Sequence, residues 1–211
     1  TMQGQSIKSQ VHDGNMKDKL KWTYKANDII NEKTLMEKYG VSKTPVREAL
    51  VQLCGEGVLN NIPRFGYQLT VILPSQIIEI VEYRKIIELG ALEMSFPHLT
   101  RENFDQLKAL NEDAGKITYT KDSRIHWETN IQFHKTLCSF CNNTFIQRSL
   151  SDALNICTRI SNQYFIQIWN NSQVSDGRNH IRLVEAMEEG NLEQAKEILA
   201  DDVEAFKNEI L

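Results

Sequence analysis

The chain of 211 residues has little of what defines membrane or secreted proteins. No apolar run approaches the roughly 20 residues that span a bilayer, which predicts that no segment crosses a membrane. The first ten residues, TMQGQSIKSQ, lack the charged and apolar regions of a signal peptide. Only 4 cysteines are present, and they are expected to be reduced and mostly buried. Together these absences predict a cytoplasmic protein.

Motifs that carry catalysis are also missing. The sequence contains no G-x-S-x-G, no H-E-x-x-H and no phosphate-binding loop. Cys138 and Cys141 form a C-x-x-C, but there is no second pair and no βαβ pattern around it. Helix packing therefore explains these thiols better than metal or redox chemistry. The sequence predicts no catalytic residues.

Charge is distributed unevenly along the chain. The net charge is −4, yet residues 1–70 carry 10 positive and 7 negative side chains, whereas residues 71–211 carry 14 and 21. A basic N-terminal region beside an acidic remainder makes two functional regions plausible. The pattern of the sequence changes at Pro74, so we predict an N-terminal domain over residues 1–73 and a C-terminal domain over residues 74–211.

The stretch VSKTPVREAL, residues 41–50, predicts the start of a helix. Pro45 lacks an amide hydrogen and fits only a first turn, where Ser42 or Thr44 can accept a hydrogen bond from an unpaired amide. Gly57 suits a left-handed conformation that ends the helix. The apolar residues with helical spacing on its inward face are Val46, Ala49, Leu50, Leu53 and Cys54.

The remaining patterns predict a mainly α fold. A helix through NEKTLMEKY, capped by Asn31 and ended by Gly40, precedes the helix that begins near Pro45, and the two form a helix-turn-helix. Residues 58–73 then predict a β-hairpin wing. Beyond Pro74 only helical patterns occur, which predicts an all-helical bundle. The predicted helices cover 75–96, a segment from 100, 122–140, 143–169, 177–189 and 192–210, with NNSQVSDG as a loop.

Three segments resemble a known family of proteins. GVSKTPVREALVQLCGEGVLNNIPRFGYQL is similar to the winged helix-turn-helix domain of GntR-type bacterial transcription regulators. EYRKIIELGAL, NIQFHKTL and NHIRLVEAMEEGNLEQAKEILADDV resemble the effector-binding FCD domain of the FadR subfamily. The resemblance implies a DNA-binding domain followed by an effector-binding and dimerisation domain.

This resemblance and the helix pattern together predict a DNA-contacting surface. The candidate residues are Ser42, Lys43, Thr44, Arg47, Arg64 and Gly66. Arg47 lies off the inward face and is the leading candidate for a base or phosphate contact, unless it pairs with Glu48 or Glu37. Lys43 stands where the family usually has arginine, and it cannot recognise guanine through two hydrogen bonds.

The resemblance also implies a metal site formed by Asn130, His134, His180 and Asp202. The family has Asp in place of Asn130 and a third His in place of Asp202. Asn130 and His134 share one helix face, and a helical hairpin turning at Gly190 would bring His180 and Asp202 to a similar height. Such a nitrogen and oxygen donor set suits Zn, Ni, Mn or Fe, while ordinary packed histidines are the alternative.

Arg84 matches a position that often faces the same cavity in the family. It is predicted to bind the carboxylate of a small metabolite, and its alternative role is a structural ion pair with Glu88, one helical turn further on. Either role places a charged side chain on a helix of the bundle.

These expectations lead to a functional hypothesis. The chain is expected to be a homodimeric transcription regulator, most simply a repressor, whose affinity for double-stranded operator DNA is controlled by a small organic acid. The rivals are an enzyme that uses two histidines and a carboxylate on a metal, a sensor of the metal itself, and a metal-independent sensor of an acyl-CoA.

Overall fold

The computed structural model describes residues 24, 27–117, 123–171 and 177–211. Contacts within it divide the chain into two compact units, Thr1–Ile72 and Leu73–Leu211, called here the N-terminal and C-terminal units. The predicted domain division after residue 73 falls beside this boundary.

The N-terminal unit combines two short helices with a small sheet. Its elements are β1 (Ile29–Ile30), α1 (Glu32–Tyr39), α2 (Lys43–Gly55), β2 (Leu59–Ile62) and β3 (Gly66–Leu69). The strands are antiparallel in the order β1-β3-β2. The hairpin of β2 and β3 was predicted, but β1 was not, because two residues are too short to show an alternating pattern.

Local signals explain where α1 and α2 begin and end. The Asn31 side chain accepts a hydrogen bond of 2.8 Å from the amide of Lys33, and Gly40 adopts a left-handed φ of 63°. Pro45 lies in the first turn of α2, as its missing amide requires. After α2, Gly57 has a φ of 67°. The helix-turn-helix predicted from these residues is therefore present.

The core of the N-terminal unit lies between α1, α2 and the sheet. Cys54, predicted to face inward, is half-buried and packs against this core from the last turn of α2. The buried residues of this core are Ile30, Leu35, Val46, Ala49, Leu50, Leu53, Val58, Leu59 and Tyr67.

The C-terminal unit is a bundle of helices, which confirms the predicted fold class. Its helices are α3 (Pro74–Ser95), α4 (Arg101–Ile117), α5 (Ser123–Ser139), α6 (Thr144–Asn171), α7 (Arg178–Glu188) and α8 (Leu192–Asn208), with a 3-10 turn at Phe96–His98. Of the loop predicted at NNSQVSDG, Asn170 and Asn171 belong to α6, and residues 172–176 lie outside the described part of the chain.

Helix α3 lies at the centre of the bundle and packs against α5, α6 and α8. This position explains why its inward face includes Arg84 and Glu88 beside apolar residues such as Val81 and Leu92. Helices α7 and α8 form the predicted antiparallel hairpin, with Gly190 at a left-handed φ of 72° in the turn. None of the described helices is both long and apolar enough to cross a membrane.

Candidate DNA-binding surface and metal site

The first turn of α2 presents polar side chains away from the core of the N-terminal unit. Lys43, Thr44 and Arg47 are exposed, whereas Val46 and Leu50 are fully buried on the opposite face. Because the helix begins here, its unpaired amides lie in the same turn as Lys43 and Thr44. The surface therefore combines two cations with the positive end of a helix.

The alternative reading of Arg47 as a structural ion-pair partner finds no support. Within the part of the chain that the structure describes, Arg47 has no carboxylate within 4.0 Å. Glu37 lies 3.9 Å from Lys33 instead, and Lys43 lies 3.9 Å from Glu32. The Lys33–Glu37 contact is solvent-exposed and the Lys43–Glu32 contact is partly exposed, so both are weak and neither neutralises Arg47.

The expected hydroxyl cap of α2 is not formed. Ser42 occupies the capping position, but its side chain accepts no hydrogen bond from the first turn. A capping oxygen binds the amide two or three residues along the chain, and the third residue here is Pro45, which has no amide hydrogen. The prediction that Ser42 or Thr44 caps the helix was wrong, and the Ser42 hydroxyl is exposed beside Lys43.

The wing residues Arg64 and Gly66 lie at and beside the turn between β2 and β3. Arg64 is exposed and adopts a left-handed φ of 71°. Gly66 has a φ of 125°, and a Cβ placed on it would lie 2.5 Å from the carbonyl oxygen of Ile30. The close approach of β1 therefore requires glycine at this position, whether or not DNA also passes close to it.

The four residues predicted as metal ligands lie on three helices of the C-terminal unit. Asn130 and His134 are on α5, His180 is on α7 and Asp202 is on α8. Each of the last three offers a ligand atom within 4.8 Å of the others, and all three are buried. Oδ2 of Asp202 lies 3.2 Å from Nε2 of His134 and 3.4 Å from Nε2 of His180. The predicted convergence is thus present.

Asn130 and an aromatic ring complete one side of this cluster. Nδ2 of Asn130 lies 3.5 Å from Nε2 of His180. A half-turn of the amide would present its oxygen to the same point, which is the atom that a metal would use. Phe133 stacks on His180 with a centroid distance of 3.8 Å and an angle of 4°, which holds the imidazole ring in place.

Glu88 connects this cluster to Arg84 and was missed as a site residue. Nδ1 of His134 donates to Oε2 of Glu88 over 2.5 Å, and Nε of Arg84 donates to Oε1 of Glu88 over 2.8 Å. The predicted alternative, an Arg84–Glu88 ion pair, is present and buried. A carboxylate behind a histidine fixes its tautomer, so that Nε2 faces Asp202. The sequence signal was a charged pair on the apolar face of α3.

The pKa values of His134, His180 and Asp202 are shifted by burial and by the charges and hydrogen bonds of their neighbours. Burial lowers the pKa of His134, but the carboxylate of Glu88 and the hydrogen bonds to Asp202 and Glu88 outweigh it and raise the pKa to about 9. Burial also lowers the pKa of His180, and here its effect outweighs that of Asp202. Burial acts to raise the pKa of Asp202, but hydrogen bonds from both histidines hold it below its usual value. Metal binding would therefore displace a proton from His134, while His180 is already neutral at pH 7.

Arg84 keeps one nitrogen without a partner. It is fully buried, its Nη1 lies 4.0 Å from Sγ of Cys157, and its Nη2 has no hydrogen-bond partner among the described residues. A buried guanidinium nitrogen without an acceptor is costly and is suited to an anionic oxygen.

Comparisons with known proteins agree with this architecture. The profile of the FCD domain matches residues 79–205, and that of the gntR family of bacterial regulatory proteins matches residues 17–68. An uncharacterised HTH-type transcriptional regulator, YdhC of Bacillus subtilis, is 29% identical over 180 residues, covering 83% of this chain and 78% of that protein. The gluconate operon transcriptional repressor of Bacillus licheniformis is 28% identical over 148 residues, covering 68% of this chain and 51% of that one.

Solved structures show the same fold. The structure of McbR/YncC from E. coli has a TM-score of 0.77 at 22% identity, covering 96% of this chain and 95% of that chain. A GntR-type regulator from Rhodococcus has a TM-score of 0.76 at 17% identity, covering 97% and 98%.

Proposed function

Since this chain belongs to the gntR family of bacterial regulatory proteins and carries an FCD domain, we propose that it is a repressor whose affinity for operator DNA is lowered by a small organic acid bound in the C-terminal unit. DNA binding and transcription regulation follow from the family, and its relatives are regulators rather than enzymes. The sign of control, the ligand, the metal and assignment to the FadR subfamily are the proposed parts.

The observation that carries the proposal is the buried cluster of His134, His180 and Asp202, with ligand atoms within 4.8 Å of one another. A bundle that served only as a scaffold would gain little from it, because burying ionisable groups costs desolvation energy. Three such groups converging from α5, α7 and α8 support a binding site.

The donor set fits a divalent metal ion. His134, His180 and Asp202 would hold it, with the amide oxygen of Asn130 as a further ligand, and Glu88 would orient His134. Zn, Ni, Mn and Fe accept this mixture of imidazole nitrogen and carboxylate oxygen. When bound, the ion would supply a Lewis-acidic centre for a carboxylate of the ligand.

Arg84 gives the ligand a second anchor. Its Nη2, which has no partner among the described residues, can donate to a carboxylate oxygen, and the Nε contact with Glu88 fixes the direction of the guanidinium plane. A small metabolite with at least one carboxylate therefore suits the site.

The DNA-binding side of the proposal requires two copies of the chain. Residues 1–70 carry a net charge of only +3, and a single recognition helix binds few phosphates. A homodimer reading a palindromic operator doubles the contacts. Repression is suggested by the name of the Bacillus licheniformis relative, which regulates a gluconate operon.

One observation favours a second candidate, an effector site that works without metal. The raised pKa of His134 makes it an imidazolium at pH 7, and it lies between the carboxylates of Glu88 and Asp202. Its positive charge therefore stabilises both carboxylates without a metal ion. In that case His180 and Arg84 would donate hydrogen bonds to an anionic effector such as an acyl-CoA.

The test combines metal binding with DNA binding. Chelator-treated protein is titrated with Zn²⁺, Ni²⁺ and Mn²⁺ by calorimetry, and its affinity for duplex DNA flanking its own gene is measured by fluorescence anisotropy at fixed salt. Gluconate, succinate and citrate are added with and without metal. We expect one ion per chain, and a metal-dependent loss of DNA affinity with one of these acids.

Matched histidine variants make the result interpretable. His180→Ala should abolish metal binding, whereas His98→Ala removes an exposed histidine outside the cluster and should change nothing. Full response to the acid in the presence of chelator would favour the metal-free candidate. If the acid made the protein bind DNA more tightly, the proposal that the ligand relieves repression would be overturned.

A further inference from the structure

The tip of the wing carries an aromatic side chain that the core does not use. Phe65 is 70% exposed and is not part of the buried cluster of the N-terminal unit. It lies between Arg64 and Gly66, in the turn that joins β2 to β3. An exposed ring at the end of a hairpin contributes little to folding stability, so the ring is available for a contact outside the chain.

The turn itself is built to present these side chains. The amide of Phe65 donates to the carbonyl of Ile62 over 3.0 Å, with Pro63 second and Arg64 third in the turn. This is the pattern of a type II turn, in which the third residue needs a positive φ and is usually glycine or asparagine. Arg64 occupies that position with a φ of 71°. A strained backbone that holds a long cation in place of glycine is a feature found at functional sites.

The hairpin lies next to the helix that is proposed to bind DNA. Helix α2 packs on β2 within the N-terminal unit, so the hairpin lies beside the proposed recognition helix. When such a helix enters the major groove, an adjacent hairpin can reach the neighbouring minor groove. The minor groove is about 6 Å wide, which admits an aromatic ring edge-on but not a helix.

We propose that Phe65 is a specificity-determining residue that inserts as an apolar wedge at a base step of the minor groove, with Arg64 on the phosphates beside it. The proposal rests on the DNA-binding function of the family. A wedge of this kind partly unstacks one step and kinks the duplex. Unstacking is easiest at the pyrimidine–purine steps TA and CA/TG, so Phe65 would add a preference for such a step without a hydrogen bond to a base.

The salt dependence of DNA binding distinguishes the roles of Phe65 and Arg64, because only Arg64 is charged. Phe65 releases no counterions, so its removal should weaken binding without changing the dependence of affinity on salt. Arg64 neutralises a phosphate, so Arg64→Ala should reduce the slope of log affinity against log salt by about one.

The experiment uses the full chain and a randomised duplex library. The wild type, Phe65→Ala and Phe145→Ala are each taken through selection, and the enriched duplex is then labelled with 2-aminopurine at its pyrimidine–purine steps. Phe145 is the matched control, because it is 83% exposed and belongs to the C-terminal unit.

We expect the wild type to enrich a TA or CA/TG step beside each half-site and to raise 2-aminopurine fluorescence at that step. Phe65→Ala should lose both effects and bind the duplex about tenfold more weakly with an unchanged salt slope, while Phe145→Ala should behave as the wild type. Equal affinity, step preference and fluorescence in Phe65→Ala would overturn the proposal, as would the absence of any step preference in the wild type. Loss of dimer in Phe65→Ala, measured by sedimentation, would also overturn it in favour of a contact between chains. Thermal melts check that the variants are folded.

Discussion

Glu88 should contribute more to the stability of the C-terminal unit than its partner Arg84. Both side chains are 2% exposed, and Glu88 accepts hydrogen bonds from two cations, Arg84 at 2.8 Å and His134 at 2.5 Å. Arg84 has one carboxylate partner, and its Nη2 has no partner among the described residues. The two single substitutions therefore leave different charges unbalanced.

The expected magnitudes follow from what remains after each change. Glu88→Gln leaves the Arg84 guanidinium buried without an anion, and breaking a buried pair in this way costs about 3–5 kcal/mol. Arg84→Met leaves Glu88 paired with His134, so the loss is about that of one charged hydrogen bond, roughly 1.5–3 kcal/mol. Replacing both, as Arg84→Met with Glu88→Leu, should cost less than Glu88→Gln alone.

Urea unfolding at pH 7 with chelator measures these differences. In a Trp22→Phe background the remaining tryptophans, Trp127 and Trp169, belong to the C-terminal unit, so fluorescence reports on that unit alone. Glu188→Gln is the control, since its pair with Lys108 is partly exposed and is worth about 1 kcal/mol or less. A cost for Arg84→Met equal to or above that for Glu88→Gln would refute the reasoning.

Three further predictions concern DNA binding, the wing and pH. Arg47→Ala should weaken specific DNA binding by about 1–3 kcal/mol if the side chain reads a base, and unchanged anisotropy titrations would exclude that role. Gly66→Ala should lower the stability of the N-terminal unit by about 1–3 kcal/mol, because its φ is 125° and its Cβ would meet Ile30; a thermal melt like that of the wild type would contradict this. Burial and the Arg84 guanidinium lower the pKa of His134, but the Glu88 carboxylate and the hydrogen bonds to Asp202 and Glu88 outweigh them and raise it from 6.5 to about 9. The metal-free protein should therefore hold the full stabilisation below pH 6.5 and lose of the order of 3 kcal/mol as pH rises through 9. Urea unfolding across this range checks the loss, which Glu88→Gln should reduce, because only Asp202 then remains to stabilise the charged His134.

The elements of the fold that were predictable are those with local causes. Pro45 limits where α2 can begin, while Gly40 ends α1 and Gly57 follows the end of α2, because glycine tolerates a left-handed φ. The helices of the C-terminal unit follow from their apolar spacing. The predicted hydroxyl cap is absent from the structure; Pro45, three residues after Ser42, has no amide hydrogen and so removes one of the two donors that Ser42 could have used.

Residues of the candidate site could be predicted only where the geometry of a helix or the family resemblance indicated that their side chains lie close together. Asn130 and His134 had to share a face of α5, since they are four residues apart. The partnership of Glu88 with His134 was not foreseen, because 46 residues separate them and the contact depends on how α3 packs against α5.

By itself, the sequence determined the helices, their ends and the DNA-binding motif, since backbone sterics and apolar periodicity act over a few residues. Tertiary structure decided which charges meet. The packing of α3, α5, α7 and α8 brought Glu88, His134, His180 and Asp202 together, and the approach of β1 to the wing made Gly66 necessary. Contacts of this kind depend on the distance and angle between elements, which no short stretch of sequence encodes.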